Sequence, residues 1–167
     1  MIRKALTSDC PRIAEIHVFG WRCAYKDFIP LDHLFNKMTV KNYEEKFIEY
    51  LSSDTKTNET YVYENENIIK GFMTVGDYRD NDKDKDTFEL YGIYVDPVFQ
   101  RQNTGTKLVD YCIKEAFKKN KKEVVLWVFE KNKGSIEFYK KMGFTPDGET
   151  KMYDLLNEKA IRLNRSL

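Results

Sequence analysis

A mixed α/β fold, a sheet with helices on its faces, is predicted by three features of this 167-residue chain. Apolar residues alternate at a spacing of two in some stretches and recur at helical spacing in others. A near-continuous β-branched and aromatic run, Glu123 to Phe129, reads as a buried strand. In chain order the elements are one strand, two helices, three antiparallel strands, a helix, a strand, a helix and two strands. That amounts to about seven strands flanked by about four helices.

Ile2, Lys4 and Leu6 alternate with Arg3 and Ala5, as in a short first strand, and Thr7, Ser8 and Asp9 offer helix caps. From Pro11 a helix to about Arg22 places Ile13, Ile16, His17 and Gly20 on one face. Tyr25 to His33 is an ordered connection, and a second helix fits Val40 to Leu51 through Tyr43, Phe47 and Tyr50 or Leu51. Tyr61 to Tyr63, the turn Asn65-Glu66-Asn67 and Ile68 to Val75 form a hairpin pattern. After the polar loop Asp80 to Asp86 comes a strand from Thr87 to Val95, ended by Pro97. Thr104 to Lys119 is an amphipathic helix through Leu108, Val109 or Cys112, and Phe117, with lysines at its negative pole. Gly134 to Met142 is a short helix closed by Gly143, followed by strands near Phe144 to Thr150 or Met152 and Lys159 to Leu163.

Composition narrows the function. Lys+Arg 28 against Asp+Glu 27 leaves a net charge of +1, without the basic excess of a nucleic-acid binder. No apolar run approaches the roughly 20 residues of a membrane span, and no apolar stretch follows the N-terminal basic residues. Cys10, Cys23 and Cys112 are odd in number and lack a C-x-x-C spacing, so free thiols in a reducing cytoplasm are expected. The 11 Tyr and 11 Phe are too many for a disordered chain, despite a charged fraction of 33%.

The most informative segment is Tyr91 to Leu108, where a strand runs into Asp96-Pro97 and a short polar turn opens a long helix. Such a turn presents unpaired backbone N–H groups at the positive end of the helix dipole, which suits a phosphate or diphosphate. A Walker A loop is excluded, because Gln100 stands at its first glycine and Gly105-Thr106-Lys107 has the wrong order; a dinucleotide fingerprint needs two more glycines than Gly105.

What fits is a resemblance to the GNAT superfamily of N-acetyltransferases. Gln100-Arg101-Gln102-Asn103-Thr104-Gly105 resembles its acetyl-CoA loop, Gln/Arg-x-x-Gly-x-Gly/Ala, with Asn103 in place of a glycine. Asparagine tolerates positive φ better than most residues, so the loop can form. Asn132-Lys133-Gly134-Ser135-Ile136-Glu137-Phe138-Tyr139, ending in Gly143-Phe144, is similar to the family's Asn-x-x-Ala/Ser-x-x-Phe-Tyr-x-x-x-Gly-Phe segment. Trp21-Arg22-Cys23-Ala24-Tyr25 resembles a helix end of one branch. The matches occur in the family's order and imply a single N-acetyltransferase domain over 1–167, with a mostly antiparallel sheet.

The resemblance implies roles for single residues. Acetyl-CoA is the expected co-substrate, held by Ile93, Tyr94 and Val95, with main-chain groups of Ile93 and Val95 pairing to the pantetheine arm. Gln100, Arg101, Gln102, Asn103, Thr104, Gly105 and Thr106 would meet the diphosphate, and Asn132 and Ser135 would bind further along the arm. Tyr139 would contact the cofactor and protonate the departing thiolate. An amine of pKa about 10.4 is only about 0.1% neutral near pH 7.4, so a base or water relay is required; Glu89 is the expected one. Trp21 and Tyr25, one helical turn apart, would flank the amine acceptor. The acceptor is expected to be a small-molecule primary amine, with specificity in the span 23–58. A protein or peptide acceptor and a non-catalytic acyl-CoA-binding domain stand as alternatives. Monomer or homodimer is left open.

Other candidates fail. Asp80, Asp82 and Asp84 imitate half an EF-hand loop, but Lys85 and Tyr91 occupy the positions of its Gly and Glu. His17 and His33 lack partners at ligand spacing, so no metal is expected. Cys112 reads as a buried thiol, and Lys118 to Lys122 as a solvated helix end.

Overall fold

The computed structural model describes residues 1–55 and 57–167; Lys56, within the expected specificity span, lies outside the described residues. Seven strands form one sheet in the order β1-β2-β3-β4-β5-β7-β6. They are β1 Ile2–Lys4, β2 Asn58–Asn65, β3 Ile68–Asp77, β4 Thr87–Val95, β5 Glu123–Phe129, β6 Thr145–Tyr153 and β7 Glu158–Ser166. The longer helices are α1 Cys10–Tyr25, α2 Val40–Ser52, α3 Thr104–Lys118 and α4 Lys133–Lys141. β4 and β5 are parallel, whereas β1/β2, β5/β7 and β6/β7 are antiparallel. No helix among the described residues is long and apolar enough to cross a membrane. The backbone groups into two compact units, Met1–Thr74 with Ile93–Leu108, and Val75–Gly92 with Val109–Leu167. β3 and β4 each pass from one unit into the other.

In the first unit, Ile13, Ile16, Val62 and Phe72 form a buried cluster with Ala5, Phe47, Ile69 and Tyr94 packed against it. The expected face of α1 is therefore the buried one, and α1 runs a turn beyond Arg22. Arg22 explains the extension: its Nε donates to the Leu34 carbonyl at 2.9 Å and its Nη2 to that of Met38 at 3.0 Å. These bonds tie the helix end to a π-helical turn, His33–Lys37, which the sequence left within a connection. The predicted caps at Thr7 to Asp9 instead form a 3-10 turn. Asp9 gives no side-chain cap to α1; it accepts the Leu6 amide at 2.8 Å and Arg3 at 2.7 Å. Glu66 and Asn67, with φ of 55° and 58°, make the two-residue hairpin turn joining β2 and β3.

His17 sits inside this unit with ring centroids of Tyr43 at 4.5 Å and Tyr94 at 4.6 Å. Burial, aided by the charge of Lys46, pushes its pKa down to about 3. Unfolded imidazole titrates near about 6.5, so below that pH the unfolded chain binds a proton the folded chain refuses. Stability is expected to be full above about pH 6.5 and to fall toward pH 3, with a limiting slope of about 1.4 kcal/mol per pH unit from this group. Urea denaturation at several pH values should show a shallower acid decline in His17→Phe; parallel declines would refute the assignment.

In the second unit α3 presents Val109, Cys112, Ile113 and Ala116 as its buried face, whereas the expected Phe117 is 56% exposed. The stripe runs i, i+3, i+4, i+7, which reaches Ala116 one residue before Phe117. Desolvation pushes the Cys112 thiol up to about 12, as suits a buried, unreactive cysteine. Lys118, Lys119 and Lys122 are exposed as expected, whereas Lys121 bonds Asp77 at 2.7 Å and the Lys85 carbonyl at 2.6 Å, because the strand-to-strand loop crosses there. Gly143 follows α4 with φ 85°, the left-handed helix end its sequence position implies.

Candidate active site

Asp96 ends β4 by accepting the Val98 amide at 2.8 Å and the Arg12 guanidinium on its other oxygen. Pro97–Phe99 makes one short turn, and the chain then takes two left-handed residues, Arg101 at φ 59° and Asn103 at φ 62°. The Asn103 carbonyl accepts the Lys107 amide at 3.0 Å, so α3 begins here. The amides of Thr104, Gly105 and Thr106 precede that first helical bond, and no acceptor meets them among the described residues. Thr104 is 2% exposed, yet its hydroxyl oxygen has no hydrogen-bond partner. Gln100, Arg101, Gln102 and Asn103 are exposed around this start. Gly71, on β3, lies beneath it: an added Cβ would stand 3.1 Å from Thr104 Cγ2 and 2.8 Å from the Tyr94 carbonyl oxygen.

β4 and β5 pair at Thr87↔Glu123, Phe88↔Val124 and Glu89↔Val125, and the paired register ends there although both strands continue. Glu89, the last residue of this paired run, is 1% exposed. Its Oε2 accepts the Arg79 amide and Nε, both at 3.1 Å, and its Oε1 accepts Arg79 Nη2 at 2.5 Å. Burial works against the charge of Arg79, and the hydrogen bond and field of Glu89 outweigh it, raising the guanidinium pKa. The guanidinium also stacks on Tyr91, 3.9 Å from the ring centroid.

Tyr139 lies on α4 and is 8% exposed, its ring 5.9 Å edge-on from Phe144 and 5.2 Å from Phe138. Asn132 caps α4, its Oδ1 accepting the Ser135 amide at 3.2 Å. Asn132 and Ser135, two of the three expected cofactor residues of this segment, thus share one helix start. Trp21 and Tyr25 meet edge to face at 4.8 Å, and Trp21 Nε1 donates to the Tyr94 hydroxyl at 3.2 Å. Tyr94, expected among the cofactor-binding residues, therefore contributes a side chain to the aromatic group. Cys10, Cys23 and Cys112 are free thiols. The half EF-hand is spoken for: Asp80 accepts Lys151 at 2.7 Å and Trp127 at 3.1 Å, and Asp82 accepts Arg162 at 2.6 Å.

A family model described as the acetyltransferase (GNAT) family matches residues 28–144. The chain belongs to the GNAT family. As a GNAT protein it is an acetyl-CoA-dependent acyltransferase. It is 30% identical over 142 residues to the uncharacterized N-acetyltransferase YuaI of Bacillus subtilis, covering 83% of this chain and 76% of that protein. It is 42% identical over 64 residues to the uncharacterized N-acetyltransferase MJ1207 of Methanocaldococcus jannaschii, covering 38% of this chain and 28% of that protein. Among solved structures, the PaiA N-acetyltransferase of Thermoplasma acidophilum in complex with coenzyme A superposes with a TM-score of 0.79 at 19% identity, over 100% of this chain and 98% of that one. The putative acetyltransferase YncA of Salmonella typhimurium, with acetyl-CoA, gives 0.68 at 24% identity, over 100% and 93%. Both show that the GNAT fold extends along the chain.

Three structural features were not among the expectations from sequence. The pairing of Arg79 with Glu89 spans ten residues with no periodic relation between them, so only the fold reveals it. Gly71 carried no turn signal; a lone glycine inside a strand pattern was the available clue to a close approach. The left-handed Arg101 had none, since arginine is not a residue type that favours positive φ.

Proposed function

We propose that this acyltransferase is a cytoplasmic enzyme that moves the acetyl group of acetyl-CoA to a primary amine of a small molecule, by direct attack in a ternary complex. The observation that carries the reading is the start of α3: three amides without acceptors, the positive end of a 15-residue helix, and the buried, unpartnered Thr104 hydroxyl. These groups fit a diphosphate. Arg101 adds charge to its rim, and Ile93 and Val95 take the pantetheine arm as an added strand. The orphaned hydroxyl matters because a buried polar atom without a partner costs about 1 to 3 kcal/mol, which an incoming phosphate oxygen relieves.

Acetyl-CoA supplies an acetyl group activated as a thioester. Tyr139 then gives its hydroxyl proton to the sulfur that leaves. Glu89 accepts the ammonium proton through water, because its carboxylate is 1% exposed and Arg79 covers both oxygens. Trp21 and Tyr25 hold the acceptor against aromatic faces. The free thiols Cys10, Cys23 and Cys112 agree with a reducing compartment.

The test is thiol release from acetyl-CoA with a panel of amines that includes polyamines, aminoglycosides, amino acids and short peptides. A small amine should outperform peptides in kcat/KM. Preferred turnover of peptides would replace the small-molecule reading, and coenzyme binding without release on any amine would support a regulatory acyl-CoA-binding domain.

A further inference from the structure

Among the described residues, Arg79 is the half-exposed charge that rests directly on the buried Glu89, and its geometry is more specific than the pairing requires. The Nε/Nη2 side of the guanidinium forms a fork on Glu89, with Nε at 3.1 Å from one oxygen and Nη2 at 2.5 Å from the other. The Arg79 amide adds a third bond to the same carboxylate at 3.1 Å. Tyr91 backs one face of the guanidinium, 3.9 Å from its ring centroid, and is itself anchored by its hydroxyl on the Asp77 carbonyl at 2.7 Å. The side chain is thus held in one orientation, and it is still 54% exposed.

A guanidinium offers a second two-pronged edge, formed by Nη1 and the outer hydrogen of Nη2. No acceptor among the described residues meets Nη1. The nearby carboxylate of Asp80 does not claim it, because Asp80 is taken by Lys151 at 2.7 Å and by Trp127 at 3.1 Å. Tyr153, whose field also acts on Arg79, is 37% exposed. A pre-oriented, solvent-facing, two-pronged donor edge matches a carboxylate, and the entropy of fixing the arginine has already been spent on Glu89 and Tyr91.

We propose that the outer edge of Arg79 binds a carboxylate of the acceptor, so that the substrate is a small amine that also carries a carboxylate, of the amino-acid class. The inference rests on the acetyltransferase reading above and sharpens it. Arg79 then serves two carboxylates at once. The buried one of Glu89 fixes the guanidinium, and the substrate's carboxylate is bound by its outer edge.

The experiment compares kcat/KM for matched acceptors, each amino acid against its C-terminal amide, in the unaltered enzyme, Arg79→Lys and Arg79→Gln. The unaltered enzyme is expected to favour the free carboxylate by about 10- to 100-fold, mainly through KM. That ratio should fall toward one in Arg79→Gln and lie between in Arg79→Lys, which keeps the charge and loses the fork. Should Arg79→Gln fail to fold, the unaltered enzyme still decides. A deaminated carboxylic acid should inhibit competitively against the acceptor and not against acetyl-CoA, while its amide should not inhibit. Equal turnover of acids and amides by the unaltered enzyme overturns the proposal and leaves acetyl transfer standing. Absence of thiol release with every amine overturns the activity itself and this proposal with it.

Discussion

Tyr139→Phe should lower kcat by about 10²- to 10⁴-fold with little change in coenzyme A affinity, the range expected when a positioned proton donor is removed. The variant keeps the ring, so its edge-on packing against Phe144 at 5.9 Å and its contact with Phe138 at 5.2 Å persist. A fold defect is therefore not expected, and an unchanged denaturation midpoint is the control. The loss should also depend on pH in a predictable direction. A leaving thiolate needs its proton least above the thiol pKa, about 8.5 for a cysteine-type sulfur, so the gap between variant and parent should narrow as pH rises past that value. A variant with full turnover at neutral pH would remove Tyr139 as the acid and leave protonation to water.

Gly71→Ala should cost about 1 to 3 kcal/mol of stability and weaken coenzyme A binding together. The new methyl would lie 2.8 Å from the Tyr94 carbonyl oxygen, 3.1 Å from Thr104 Cγ2 and 3.4 Å from Leu108 Cδ1. The first of these atoms is backbone, so a rotamer change cannot relieve the clash; β4 or the first turn of α3 must move. Those are the elements proposed to hold the pantetheine arm and the diphosphate. Gly134→Ala is the contrasting substitution, because nothing lies within 4 Å of its added methyl in α4. It should stabilise by about 0.4 to 1 kcal/mol through the unfolded state. Chemical denaturation and titration calorimetry on both variants check the pair. A Gly71→Ala protein with parental stability and affinity would show that the close approach has no energetic weight.

The bounds of β4 and β5 follow directly from their residues, because a β-branched or alternating run flanked by Asp-Pro or by polar turns has no competing local structure. The start of α3 was legible for a related reason: Asn103 is a residue type that accepts the left-handed φ of 62° the loop imposes. Where the structure departs from local preference, a distant partner outweighs it. Asp9 was a good cap by type, yet Arg3 and the Leu6 amide took its carboxylate. Phe117 was apolar enough for the core, but the helical stripe passed through Ala116 instead.

The same division runs through the site. Short motifs such as Gln100 to Gly105 and Asn132 to Phe144 carry their chemistry in consecutive residues, since a helix start with open amides is a local object, and these motifs sufficed to point to acetyl transfer from acetyl-CoA. The surroundings of Glu89 are not local. Arg79 reaches it from just beyond the end of β3, and Tyr91 backs the guanidinium from the strand that carries Glu89, so both depend on strand pairing. Backbone conformation is set over a few residues by sterics and hydrogen bonds, whereas the partner of a buried charge is chosen by whichever segment the sheet brings within 3 Å or so of it. Tertiary structure alone decided that the carboxylate expected to be a base is itself buried and paired with a half-exposed arginine.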